Sequence, residues 1–260
     1  MRRSGGGDGR RMEQKLPNIP DAESGGFVPT LNGMGYMTVT CDRFMREFIS
    51  FARSSEYPVL DIGAAYGVAT AAALEAGATV IANDLDDRHL TLLRNTLSPQ
   101  ASARLVTIPG HFPRDIRFSK NSIGAILIAR VLHFFDGDVL IESVRRAFEW
   151  IVPGGRIFVT AETPYLRNWQ EFIPTYEERK RRGERWPGFV EDARSVVTER
   201  RSNLPKTMHF LDPEVLTRVF HEGGFQVEEA SLFARPEFPD DLRHDGRESV
   251  GLIGMKARST

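Results

Sequence analysis

From Val59 onward the chain alternates short apolar runs with amphipathic helical patterns, and this alternation narrows the fold more than any other feature. The spacing predicts strands over residues 59–62, 79–83, 103–108, 123–129 and 156–161. Helices are expected over 67–76, 87–97 and 139–151. Strands apolar along their whole length, rather than at alternate positions, belong to a parallel sheet covered on both faces. Right-handed crossovers wind such a sheet in both directions and leave a ligand crevice at the C-terminal ends of its strands. Two further strands, over 226–233 and 249–257, follow a helix that Asp212 caps, Pro213 starts and Gly223-Gly224 ends. The expected fold class is α/β, a doubly wound, Rossmann-like sheet.

Ahead of the alternation, residues 1–26 are glycine-rich and read as a disordered leader. Phe27 to Met37 is apolar and turn-rich. The spacing of Phe44, Met45, Phe48 and Ile49 predicts a helix capped by Thr40 or Asp42. The alternation is interrupted over 164–206, a polar, aromatic, helix-prone insertion. One domain over 27–260 is expected, with 27–54 and 164–206 as caps. The 34 basic and 35 acidic residues nearly balance, so no overall field recruits nucleic acid or an anionic membrane. The single cysteine, Cys41, excludes an internal disulfide and suits a reducing, cytoplasmic setting. No apolar run is long enough for a membrane helix.

The first strand ends in D-I-G-A-A-Y-G, residues 61–67. A dinucleotide loop places a glycine where this chain has Ala65, so that backbone amides can approach a pyrophosphate. A P-loop lysine is also missing. Both phosphate-binding readings fit poorly. The second strand ends in N-D-L-D, which puts Asp84 about 20 residues on, where an acid can bind the hydroxyls of a ribose. Asp86 is better read as a helix cap.

These elements, with L-V-T-I-P-G-H-F-P, I-L-I-A-R-V-L-H-F-F and V-P-G-G-R-I-F-V, resemble the class I S-adenosylmethionine-dependent methyltransferases in order and spacing. The H-E-G-G-F-Q-V stretch resembles the element that precedes the family's last two strands. The resemblance implies a seven-stranded sheet with its last strand antiparallel, S-adenosylmethionine as cofactor and S-adenosylhomocysteine as product. It places Asp61, Gly63, Ala65, Tyr66 and Gly67 in the cofactor loop, Asp84 and Leu85 at the ribose, and His111 and Phe112 near the adenine. The cofactor carries no phosphate, so Ala65 is tolerable. Tyr66 either covers the methionine moiety or packs outward. Two departures stand out: His111 where the family often has an acid, and Gly124 where it often has Asp.

For the acceptor, His133 is the candidate general base, with a packing role as the alternative. Arg130, also at the cofactor's edge, either holds a substrate carboxylate or pairs with a nearby acid. Tyr36, Tyr165, Trp169, Tyr176 and Trp186 are candidate substrate contacts in the two caps, and Phe27, Met34 and Met37 are similar. No metal is expected, because Asp136 and Asp138 alone make no acid cluster. In the run over 179–185 Glu184 interleaves with the bases, and Glu177 and Glu178 precede it, which counts against nucleic acid. Methyl transfer to a small organic acceptor, at a hydroxyl or carboxylate oxygen, is the expected function. An RNA or protein methyltransferase, or a cofactor-binding partner without activity, is the alternative. A homodimer stays open.

Overall fold

The computed structural model describes residues 19–22, 26–196 and 205–258. The expected leader therefore lies almost wholly outside the described residues, as does part of the insertion. Seven strands form the main sheet: β3 (Val59–Ile62), β4 (Val80–Asp84), β5 (Leu105–Pro109), β6 (Ile123–Ala129), β7 (Ile151–Glu162), β10 (Gln226–Phe233) and β11 (Ser249–Met255). Their order is β10-β11-β7-β6-β3-β4-β5. Neighbours from β7 to β5 pair in parallel, whereas β11 runs antiparallel to both β7 and β10. The order reverses between β3 and β6, which puts the crevice of a doubly wound sheet beside β3.

Alternation within single strands decides which helix covers which face. Ile126 and Ile128 of β6 join the cluster packed by α5 (Gly137–Trp150) and α8 (Pro213–Glu222). Ala125 and Leu127 of the same strand turn to α1 (Arg43–Ala52) and α2 (Val68–Glu75). Helix α3 (Asp87–Thr96) and the short α4 (Pro99–Ser102) lie between β4 and β5 in sequence. The expected strand over 156–161 is longer, because β7 continues directly from the end of α5. Of the two caps read for α1, Asp42 is used: its carboxylate accepts the Met45 N–H. Asp86, Asp136 and Asp212 cap α3, α5 and α8 in the same way, each satisfying an N–H that the helix leaves open. Gly124, where the resemblance suggested Asp, lies against the loop before β3. A Cβ there would come within 2.1 Å of Ser55 Oγ, so the family's acid has no room.

Three peripheral pieces gather over the C-terminal ends of the strands. The hairpin β1 (Phe27–Pro29) and β2 (Tyr36–Thr38) forms a strap. The insertion holds α6 (Ile173–Arg181), β8 (Phe189–Val190) and α7 (Ala193–Val196), and β8 pairs with β9 (Met208–His209). The connection between β10 and β11 supplies Phe238 and Leu242, which pack with Phe27, Trp169 and Phe210 in one aromatic cluster. Among the described residues no helix is long and apolar enough to cross a membrane.

Candidate active site

Three residues in the left-handed region shape the turn after β3: Gly63 (φ 71°), Ala65 (φ 47°) and Gly67 (φ 80°). The amides of Gly63 and Ala64 both donate to the Asn83 carbonyl, and the Ala65 amide donates to Asp84 Oδ2 at 2.9 Å. Gly67 admits α3, since a Cβ there would meet Leu93 Cδ1 at 2.3 Å. Ala65 thus keeps a backbone conformation that glycine adopts more cheaply. What holds it there is its bond to the acid of the next strand.

Asp84 is buried at the end of β4. Its Oδ1 accepts the Asp86 N–H at 2.9 Å and lies 3.0 Å from His89 Nδ1. The other nitrogen of that ring, Nε2, accepts the Leu31 N–H of the strap at 2.9 Å, which assigns the ring proton to Nδ1. His89 therefore joins the acid to the strap. Two more bonds tie the strap down: Arg88 Nη2 donates to the Leu31 carbonyl at 3.0 Å, and Tyr66 Oη donates to the Pro29 carbonyl at 2.8 Å. Three of the roughly four acceptor positions of the Asp84 carboxylate are taken, which leaves one for a ribose hydroxyl.

A cavity of about 210 Å³ runs from this turn across the ends of β3, β6 and β7. Asp61, Gly63, Ala65, Asp84 and Leu85 line one end. Arg130, His133, Trp169, Tyr36 and Phe238 line the other. All but Phe238, which no sequence signal marked, are candidates read from the sequence, and Phe27, Met34 and Met37 join them in the lining. Several candidates lie elsewhere. Tyr66 and Gly67 are buried behind the turn, with Tyr66 directed at the strap and its ring edge-on to His89 at 4.9 Å. His111 is exposed, its amide bonded to Asp115, and Phe112 packs in the core against Trp150, so neither lines the cavity. Tyr165 and Tyr176 anchor the insertion, donating to Glu177 and Asp212, and Trp186 packs on Gly137 and His209.

Buried charges at the far end are arranged in tiers. Arg130 Nε donates to Glu162 Oε1 at 2.6 Å, and its guanidinium stands 5.3 Å from both the Phe27 and Phe238 rings. Behind it Arg235 meets Asp42 and Glu237, at 3.6 and 2.6 Å. Burial alone would raise the Glu162 carboxyl, but Arg130, His133 and Arg235 outweigh it and hold it below the usual range. Asp61 shows the opposite outcome: burial, with help from Asp84, pushes its carboxyl up to about 6 against the Thr70 hydrogen bond. Burial lowers His133 to about 4, against the attraction of Glu162. His133 Nδ1 accepts the Glu162 N–H in a long 3.5 Å bond, which leaves the ring proton on Nε2.

The donor set fits a nucleoside bearing an amino acid: one acid for a ribose, a tight backbone turn without a phosphate cradle, and a buried end of the cavity.

Residues 59–155 match the family model described as a methyltransferase domain. An uncharacterized methyltransferase of Mycobacterium tuberculosis is 36% identical over 99 residues, which are 38% of this chain and 37% of that protein. The match thus spans little more than a third of that curated relative. In fold, the chain is similar to an S-adenosylmethionine-dependent methyltransferase from Methanosarcina mazei. That match has a TM-score of 0.60, 15% identity, and covers 82% of this chain and 98% of the other. It is also similar to the glycopeptide N-methyltransferase MtfA in complex with S-adenosylmethionine, at TM-score 0.51 and 17% identity over 81% of this chain and 85% of that one. Residues 59–155 thus carry a methyltransferase domain, and the strand order with its antiparallel β11 is the fold of the S-adenosylmethionine-dependent methyltransferases.

Proposed function

We propose that this protein transfers the methyl group of S-adenosylmethionine to an oxygen of a small organic acceptor. The observation that carries the reading is one continuous cavity, with the β3 turn and Asp84 at one end and Phe27, Trp169 and Phe238 at the other. Asp84 takes a ribose hydroxyl, Gly63 and Ala65 pass beside the amino-acid part, and Leu85 flanks the nucleoside. Tyr36, Trp169 and Phe238 cover the acceptor, with Arg130 and His133 at its polar edge. Methyl transfer from a sulfonium is an in-line displacement, so alignment within a closed site supplies much of the rate enhancement. The strap and the insertion provide that enclosure, and they also keep water away from the sulfonium.

The charge run of α6 supports a small acceptor over a nucleic acid. Arg181 pairs with Glu178, Arg182 with Glu184, and Arg185 with Glu222 at 2.7 Å. Lys180 meets Asp212 and Glu214. Cations already matched in this way present little free field to a phosphate backbone. Titration calorimetry with S-adenosylhomocysteine tests the reading. Asp84→Ala is expected to weaken binding ~100-fold or more, as expected for losing charge-assisted bonds to the ligand and the turn. Normal affinity in a folded Asp84→Ala protein would refute the assignment.

A further inference from the structure

Among the described residues that line the cavity, Arg130 is the only arginine or lysine. Its backbone is left-handed (φ 58°), an arrangement that L-residues adopt only where the surroundings impose it. The Arg130 amide donates to the Thr160 carbonyl at 2.8 Å, and this fixes where the side chain leaves β6. The guanidinium then lies over β7, bonded to Glu162 through Nε and set between two aromatic rings. Its Nη1 is buried without a partner, and so is Asn168 Oδ1 in the same wall. Turned about its amide axis, Asn168 presents N–H donors to the same space. An open donor on a buried guanidinium fork is costly to leave unmatched and is shaped for a carboxylate.

We propose that Arg130 binds a carboxylate on the acceptor and that an oxygen of this carboxylate is the atom methylated, giving a methyl ester. The inference rests on the methyltransferase reading above. A hydroxyl acceptor needs a base, and the groups beside Arg130 are poor ones: Glu162 is bonded to Arg130 and held low, and burial makes His133 weakly basic. A carboxylate needs none. Its lone pair forms the bond to the methyl carbon of the sulfonium cofactor as the carbon–sulfur bond breaks, and that electron pair stays on sulfur. A cation and an anion become a thioether and an ester, and no proton leaves. The rest of the acceptor is apolar, since Leu166, Trp169, Met208 and Leu242 complete the wall.

The cofactor has a carboxylate of its own. Arg130 lines the cavity beside Trp169 and Phe238, away from Asp84, so the carboxylate there is assigned to the acceptor, and the affinity for S-adenosylhomocysteine separates the two sources.

The experiment uses the full chain saturated with S-adenosylhomocysteine and measures thermal stabilisation by cinnamate, phenylacetate and octanoate. Their amides and alcohols serve as comparators. The acids are expected to bind at least tenfold tighter than the matching amides and alcohols. Arg130→Gln should abolish that preference while S-adenosylhomocysteine affinity stays within twofold. Because Arg130→Gln strands Glu162, the double variant Arg130→Gln/Glu162→Gln repeats the test with both charges removed. With S-adenosylmethionine, an acid that binds should become its ester with no proton released in weakly buffered solution.

A tenfold loss of S-adenosylhomocysteine affinity in both variants would assign the carboxylate to the cofactor and overturn the inference. Equal binding of acids and alcohols would overturn it too, as would one proton per turnover, or no stabilisation by any of the acids. Failure of the wild-type protein to bind S-adenosylhomocysteine is a different result, and it removes the methyltransferase reading itself.

Discussion

At the end proposed for the cofactor the cavity is walled by backbone that one turn supplies, while at the end proposed for the acceptor the walls are side chains from segments far apart in sequence. The turn after β3 needs only Gly63, Ala65 and Gly67 in left-handed conformations and one acid, Asp84, to hold the middle amide. The acceptor end needs Phe27 from the strap, Trp169 after β7 and Phe238 before β11, brought together in one cluster. Asp61 at one end and Glu162 at the other are both buried, with opposite results. Asp61 has a hydroxyl for a partner and is pushed up to about 6, whereas Glu162 has Arg130 and is held low. The cofactor end therefore carries an electrostatic cost that the acceptor end neutralises with paired charge.

Asp61→Asn tests that contrast with the largest expected effect. A carboxyl raised to about 6 in the fold, from an ordinary value near 4, contributes stability that is fully present below about pH 4 and is lost as pH rises through 6. Ionised at pH 8, the buried group costs about 3 kcal/mol. Asparagine can still accept the Thr70 hydroxyl, so Asp61→Asn is expected to gain ~2–3 kcal/mol at pH 8 and almost nothing at pH 4. Urea unfolding at the two pH values measures it. An equal gain at both would show that packing, not charge, separates Asp61 from Glu162.

Phe238→Leu probes the other end with a smaller effect. The Phe238 ring stands 5.3 Å from the Arg130 guanidinium and 4.5 Å from that of Arg235, while an edge-on contact at 4.9 Å joins it to Phe27. Cation–π contacts of this kind are worth about 1 kcal/mol each when partly buried. A fall of ~10-fold in acceptor kcat/KM is expected, alongside a loss of about 2 kcal/mol in stability. S-adenosylhomocysteine affinity should stay within about twofold, because additivity holds for distant sites. If calorimetry shows cofactor affinity falling in parallel, the two ends are one coupled unit and the division made here fails.

The same division explains what the sequence made legible. The strand–helix alternation, the caps at Asp86 and Asp212, and the turn acid Asp84 are set by neighbours a few residues away or by one strand crossing, so pattern and spacing point to them. Phe238 and Leu242 carry no such signal. They sit in a turn-rich stretch that reaches the cavity only because β11 inserts antiparallel beside β7. Aromatic content likewise misdirected the reading of the insertion. Tyr165 and Tyr176 spend their hydroxyls on Glu177 and Asp212, and Trp186 fills the space over Gly137, so these rings fasten the cap instead of lining the cavity. His89 went unnoticed because its role needs a partner 58 residues away, the Leu31 amide. A histidine two residues into a helix, five after an acid, is too common a pattern to mark it.

Ala65→Gly gives the smallest effect and the most local one. An L-residue in the left-handed region costs ~1–2 kcal/mol relative to its preferred conformations, and glycine removes that strain. Glycine also loses more freedom on folding, which returns about 0.5–1 kcal/mol. The net expectation is a gain of about 0.5 kcal/mol, a rise of roughly 1–2 °C in Tm for a chain of this size. Cofactor affinity should not change, because the Ala65 amide keeps its bond to Asp84 Oδ2 whatever the side chain. Loss of stability in Ala65→Gly would mean that the Ala65 methyl is needed where it packs, and that side chains help to build the cofactor end as well. Ala65 would then separate this turn from a glycine loop by contact, and the turn could no longer be treated as backbone alone.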